Sequence, residues 1–272
     1  MSKRILEIQP SATLSISAKA KNMKAEGKPV ISFSLGEPDF NSPECASKAA
    51  IDAINRGESH YTLNSGIPEL RKEVSNYYKR RFNLEYAPDE VLIAPGAKPL
   101  LYQALQMLVD PGDEVLLFSP AWVSYVEQVH LAGGKDIIVD TLKTDLIPTK
   151  EAIEDVLSSK TVGMIINSPS NPSGAIYDEE TLKMIADIAR EKDLWIIFDE
   201  IYERLVYGPA KHVNILNVAP DLRDRVIIIN GASKAYAMTG WRIGYALAPK
   251  PLIAKMNTLQ THLTSNASTI PQ

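Results

Sequence analysis

The chain has 272 residues, 45% of them hydrophobic and 23% charged, and a formal net charge of −4. That is room for one large α/β domain, or one domain and part of another, and the mild acidity without any basic run speaks against a nucleic-acid partner. No apolar run reaches the roughly 18–20 residues that span a bilayer, Met1–Pro10 lacks the apolar core of a signal peptide, and the lone cysteine, Cys45, cannot form an internal disulfide; the reading is a soluble protein of the reducing cytoplasm with no membrane partner.

Along the chain, Pro68–Phe82 places Leu70, Val74, Tyr77 and Tyr78 on one face at helical spacing. A buried strand is expected at Val91–Ala94, ending in Pro95-Gly96-Ala97-Lys98, which opens a helix. Glycine at such a junction lets backbone N–H groups approach an anion at the helix N-terminus, although a purely structural glycine is the ordinary explanation. The strand Glu114–Phe118 runs into Ser119-Pro120-Ala121-Trp122, where the indole either stacks on a flat heteroaromatic ring or fills the core. Asp136–Val139 is a further strand.

Val162–Asn167 ends in Asn167-Ser168-Pro169-Ser170-Asn171-Pro172-Ser173-Gly174. Two prolines, whose preceding bonds are open to the cis form, hold Asn171 in a rigid polar loop, ready to donate to a ring hydroxyl unless the segment is a plain turn. Asp178–Lys192 is helical, with Leu182, Ile185, Ile188 and Ala189 on one face. Leu194–Phe198 ends in Asp199-Glu200-Ile201-Tyr202. A carboxylate at the end of an apolar strand needs a cation or a strong donor; a protonated pyridine nitrogen is one such partner, and a helix N-cap role is the plainer one.

Val226–Ile229 leads to the run Ser233-Lys234-Ala235-Tyr236-Ala237-Met238-Thr239-Gly240-Trp241-Arg242-Ile243-Gly244. Lys234 can form an imine with an aldehyde while Arg242 and nearby amides hold a phosphate on the same ligand; the competing reading is a solvated lysine beside a structural turn. Gly244–Leu247 is the last strand, and Met256–Gln272 is expected as a helix that becomes Ser/Thr/Asn-rich and stops at Ile270-Pro271-Gln272, as in a chain cut short. Near-continuously apolar strands alternating with helices imply an α/β fold, a three-layer α/β/α arrangement with a mostly parallel mixed sheet, and such folds bind ligands beyond the carboxyl ends of the strands.

Lysine, buried carboxylate, stacking aromatic, an asparagine and a tyrosine for a phenolic oxygen, and an arginine for phosphate together match one cofactor, pyridoxal 5′-phosphate (PLP). The chain resembles the class I and II aminotransferases of the fold-type I PLP enzymes, most closely the bacterial aspartate aminotransferase branch. The resemblance runs from about Ile8 to the last residue and rests on Gly36-Glu37-Pro38-Asp39-Phe40, Asn167–Gly174, Asp199-Glu200-Ile201-Tyr202 and Ser233–Gly244, in that order.

The resemblance implies that Lys234 holds the cofactor aldehyde and shuttles the proton between Cα and C4′. It implies that Asp199 pairs with the pyridinium nitrogen, Trp122 stacks on the ring, and Asn171 and Tyr202 bond its phenolic oxygen. Arg242, the backbone of Gly96 and Ala97, and Ser233 are the expected phosphate ligands. Tyr61 would reach the phosphate of a partner subunit, making a homodimer the functional unit, and Gly36 would lie against the substrate carboxylate. Lys98, with Ser11 and Thr13, favours aspartate, glutamate or prephenate. No metal ligands are assigned.

This chain has Ala97 where the branch often has a second glycine, and Ala121 where an aromatic precedes the tryptophan, both beside the cofactor. By the same resemblance, residues 1–40 are an N-terminal segment belonging to a small domain and 41–272 the PLP-binding large domain. The rest of the small domain, with the arginine that grips the substrate α-carboxylate, would be absent. Two rival readings stand beside a ping-pong aminotransferase: a β-lyase of the same fold, and a non-catalytic PLP-binding paralogue.

Overall fold

In this computed structural model, residues 5–6, 8–34 and 36–272 are described, so the reading of the first ten residues falls partly outside them. Seven strands, β1 (Val91–Ala94), β2 (Glu114–Ser119), β3 (Lys135–Asp140), β4 (Thr161–Asn167), β5 (Trp195–Asp199), β6 (Val226–Gly231) and β7 (Gly244–Leu247), form one sheet in the order β1-β7-β6-β5-β4-β2-β3. All pairings are parallel except those of β7, which runs antiparallel to both β1 and β6. Each expected strand is present, to within a residue or two at its ends.

Alternate side chains of the strands enter two cores. Leu116, Phe118, Met164, Ile166, Ile196, Phe198, Val226 and Ile228 face one side, while Val115, Leu117, Ile165, Ile197, Ile227 and Ile229 face the other. A strand with both faces covered must be apolar throughout, hence the unbroken Val/Ile/Leu runs. The first core is closed by α3 (Pro68–Phe82), through Val74, Tyr78 and Phe82, and by α7 (Glu179–Glu191), through Leu182, Ile185 and Ile188. The second is closed by α4 (Ala97–Leu108), α5 (Val123–Ala132) and α10 (Lys250–Leu263), through Leu101, Ala104, Val129, Ile253 and Met256. Two helices precede these layers, α1 (Ala12–Ala25) and α2 (Glu44–Asn55). Three short ones also form among the described residues: α6 (Lys150–Glu154), α8 (Ile215–Val218) and α9 (Ala232–Ala235).

Local chemistry fixes the helix ends. Pro68 opens α3, where its missing N–H costs nothing, and Asn83 closes it in the left-handed region at φ 55°. Asp178 caps α7 by accepting from the Thr181 N–H at 2.9 Å. The last helix departs from expectation. It spans Lys250–Leu263 rather than Met256–Gln272, entering through Pro249 and Pro251 and ending before the Ser/Thr/Asn-rich stretch. That stretch folds back, and the Gln272 side chain accepts from the Ile67 N–H at 2.9 Å. Polar side chains that compete for backbone hydrogen bonds end the helix and favour the turn. Among the described residues no helix is long and apolar enough to cross a membrane.

Candidate active site

Three neighbouring strands end in polar residues after fully apolar runs: Asn167 on β4, Asp199 on β5 and Asn230-Gly231 on β6. Asn167 and Asp199 are in register, as are Asp199 and Ile229. The carboxyl ends of β4, β5 and β6 thus form one polar rim, and the loops leaving it carry the site, as the ligand rule for open α/β sheets requires.

Asp199 is 3% exposed. Its Oδ2 accepts from the Tyr125 hydroxyl at 2.7 Å and its Oδ1 from the Ile201 N–H at 3.1 Å. Burial pushes its carboxyl up to about 6 against the pull of those two donors. Asn167 braces the neighbourhood: its Nδ2 donates to the Asp199 carbonyl at 2.9 Å, and its Oδ1 accepts from the Asn171 N–H at 2.7 Å. The Asn171 side chain then donates to the Tyr202 hydroxyl at 3.4 Å. Burial raises the Tyr202 phenol to about 12. The bonds before Pro169 and Pro172 are both cis.

Lys234 sits on α9, immediately past β6. Its Nζ donates to the Gly36 carbonyl and lies 5.7 Å from the centre of the Tyr202 ring. Loss of hydration lowers its pKa, with Arg242 adding to the fall and Glu37 opposing it. Arg242, left-handed at φ 59°, donates to the carbonyls of Thr239 at 3.0 Å and Pro95 at 3.4 Å. Lys98 Nζ stands 4.6 Å over the Trp122 ring, and its pKa is lowered by burial and then by Arg242. Among the described residues, neither Lys98 nor Arg242 has a carboxylate within ion-pair distance. Trp122 in turn meets Tyr125 edge-on at 5.3 Å.

Gly96 explains how the cations come together. It adopts φ +93°, and a Cβ there would lie 2.3 Å from the Arg242 guanidinium. From across the sheet, Gly244 backs onto the Gly96–Ala97 peptide so closely that its own Cβ would lie 2.3 Å from the Ala97 nitrogen. Arg242 and the first amides of α4 therefore share one cradle, next to Lys98.

Contacts thus run without a break from Gly36 through Lys234, Tyr202, Asn171, Asn167, Asp199, Tyr125 and Trp122 to Lys98, with Arg242 and Gly96 alongside. Ser233 is buried beside Lys234, and Ala97 is the first residue of α4. Ser11 and Thr13 lie at the start of α1. The Ser11 hydroxyl caps α1 by accepting from the Leu14 N–H at 3.4 Å, and among the described residues no hydrogen bond joins either residue to the Lys98 or Lys234 groups. Tyr61 is 93% exposed. Tyr125 and Asn167 are the two contacts that reading the residues one by one passed over. Tyr125 stands one helical turn past Trp122, and Asn167 is level with Asp199 on the next strand.

A family profile described as "Aminotransferase class I and II" matches residues 28–272. The chain belongs to the class I and II aminotransferases. It is 46% identical over its whole length to an aspartate aminotransferase of Geobacillus stearothermophilus, covering 70% of that protein. It is 39% identical to an aspartate/prephenate aminotransferase of Thermus thermophilus, with the same coverage. Its fold superposes on the structure of aspartate aminotransferase from Thermus thermophilus with maleate at a TM-score of 0.96, over all of this chain and 70% of that one. Enzymes of this class work with PLP, and the large-domain fold with its mixed sheet is theirs.

The aminotransferase site of this chain fits that cofactor on its own chemistry. Lys98 and Lys234 each lie within electrostatic reach of Arg242, an arrangement suited to a dianionic phosphate and an aldehyde. Asp199, buried and costly to charge alone, is a natural counter-ion for a ring N–H⁺.

Proposed function

We propose that this aminotransferase takes its amino group from a dicarboxylic amino acid, aspartate or glutamate, and passes it to a 2-oxo acid. The observation that carries the reading is the row of contacts joining a partly buried Lys234, past the end of β6, to a buried Asp199 at the end of β5 and on to Lys98 after β1, with Arg242 alongside just before β7.

PLP supplies an aldehyde for the amino group and a pyridinium ring that accepts the electron pair left when the α-proton departs. Arg242, with the amides at the start of α4, would hold its phosphate, with Ser233 beside Lys234. Asp199, kept in place by Tyr125 and Ile201, would hold the proton on the ring nitrogen. Asn171 and Tyr202 would bond the phenolic oxygen, and Trp122 would lie on the ring. Lys234, its pKa lowered by burial, exists as the free amine more readily than a surface lysine, and so serves first as nucleophile and then as the base that takes up the substrate's α-proton.

Lys98 provides an exposed ammonium over Trp122 that has no carboxylate within ion-pair distance among the described residues, suited to the distal carboxylate of the substrate, while Gly36 would lie against the α-carboxylate. The names of the relatives and the dicarboxylate maleate in the Thermus thermophilus structure support this choice. Ser11 and Thr13, at the start of α1, would join Lys98 on the distal side of the substrate. The working unit in this reading is a cytoplasmic homodimer, with Tyr61 reaching the partner's phosphate site. Residues 1–40 form an N-terminal segment and 41–272 the PLP-binding domain.

The test is an absorption spectrum of the purified chain with PLP, followed as amino acids are added. L-Aspartate or L-glutamate should convert the protein-bound band to the pyridoxamine form faster than L-alanine or L-phenylalanine does. Equal rates would overturn the dicarboxylate preference, and release of pyruvate and ammonia without a 2-oxo acid acceptor would point to a lyase.

A further inference from the structure

The turn that presents Asp199 and Tyr202 to the cofactor also carries two acids that face the other way. Glu200 is 0% exposed and Glu203 1%. Burying acids beside Asp199 is costly unless donors surround them. Glu203 is met by Tyr77, Arg81 and Arg204, the latter two half-exposed at the molecular surface. Glu200 has no such route to water. Its Oε1 accepts from the Tyr78 hydroxyl of α3 at 2.5 Å, and its Oε2 lies 2.7 Å from His212 Nε2 and accepts from Asn214 Nδ2 at 2.9 Å.

The His212 side chain is itself fully buried, stacked on Phe198 of β5 at 6.1 Å and edge-on to Phe82 of α3 at 5.7 Å. Among the described residues the polar contact of the imidazole is Glu200, which ties His212 to the turn.

The network continues to the other half of the site. Asn230 Nδ2 donates to the same Tyr78 hydroxyl at 3.2 Å, and Asn230 Oδ1 accepts from the Gly231 N–H at 2.7 Å, where β6 ends and the helix of Lys234 begins. The Glu200 N–H donates to the Ile229 carbonyl of β6 at 3.0 Å.

We propose that Glu200 and His212 are positioning residues that clamp the Asp199–Tyr202 turn to the end of β6, so that Asp199 and Lys234 keep a fixed separation. The inference rests on the PLP reading for its consequence but not for its geometry. A group that works through an outer hydrogen-bond layer leaves a graded mark: removing it loosens the ligand on the order of tenfold, and an isosteric replacement restores part of the loss.

The experiment uses the full chain with Glu200→Ala, Glu200→Gln, His212→Ala and His212→Asn. In cofactor-free protein, amide hydrogen exchange should quicken at Glu200 and Ile201 in both alanine variants while the amides of α4 and α5 stay unchanged. With PLP, their Kd should rise on the order of tenfold and the bound absorption band should move, with Glu200→Gln and His212→Asn falling between. Lower thermal stability with unchanged local exchange, Kd and band would reduce the pair to packing and overturn the proposal. If the alanine variants do not fold, the Gln and Asn variants carry the same comparison, and wild-type values in both would overturn it. Failure of the wild-type chain to bind PLP would instead count against the cofactor reading, with the exchange data still deciding the clamp.

Discussion

Asp199 is a carboxylate that the fold has made expensive to ionise, and its proton therefore reports on stability. It is held to about 6 in the folded chain against an ordinary value of 3.8, so between these limits the folded state binds more protons than the unfolded one. Stability must then fall as pH rises through that window, by roughly 3 kcal/mol for two units of displacement, and stay level above it. Asp199→Asn removes the titration. Denaturant unfolding of the PLP-free protein should show the variant gaining on the wild type between about pH 4 and pH 6, whatever constant offset the amide introduces. Parallel curves would mean that Asp199 is charged at no cost. Lys98 allows a second test at this scale. With its ammonium over Trp122 and no acid beside it, Lys98→Ala should raise KM for aspartate on the order of tenfold, the loss of one charge-assisted contact, and leave that for alanine unchanged. Equal effects on both substrates would place Lys98 on the cofactor alone.

At the scale of elements, β7 and the start of α4 meet without room for a side chain. Gly244→Ala would set a Cβ 2.3 Å from the Ala97 nitrogen and the Gly96 carbonyl carbon, both backbone atoms that cannot rotate away. Overpacking of this kind costs about 1–3 kcal/mol, so Tm should fall by roughly 2–5 °C. Gly96→Ala differs. Its Cβ meets the flexible tip of Arg242, which can move, but φ +93° strains any side chain there, so Tm should fall here too, and phosphate binding with it: the preference for PLP over pyridoxal should shrink for Gly96→Ala and not for Gly244→Ala. An unchanged preference in Gly96→Ala would show that the cradle is a packing device.

The same junction shows why much of the fold and site could be read from the sequence. Gly96, Asp199, Lys234 and Arg242 each lie within a few residues of an apolar run whose end is visible, and an α/β sheet turns strand ends into neighbours. Tyr125 and Glu200 were not legible in that way. Their importance comes from partners 74 and 122 residues distant, Asp199 and Tyr78, and no local pattern encodes such pairings. Ser11 shows the local kind of legibility: a serine before a helix serves as its cap, and the structure places it there. The end of α10 was misplaced because apolar spacing persists past Leu263, while the Ser/Thr/Asn side chains that stop the helix carry no periodicity.

For the whole molecule, the open question is whether one chain makes a complete site. Tyr61 is 93% exposed and lies apart from the contacts that join Lys234 to Asp199. In the proposed homodimer, two-fold symmetry would send each Tyr61 to the other subunit's site. Complementation tests this directly. Lys234→Ala should lose the covalent absorption band, and Tyr61→Ala should keep it with weakened PLP affinity. When the two variants are unfolded together in equal amounts and refolded, half of the dimers formed are mixed, and each mixed dimer has one site with both Lys234 and the partner's Tyr61 intact. About a quarter of all sites should then bind PLP with wild-type affinity and show the band. If Tyr61 serves its own chain, no site in the mixture regains both residues, and the tight-binding fraction stays at zero.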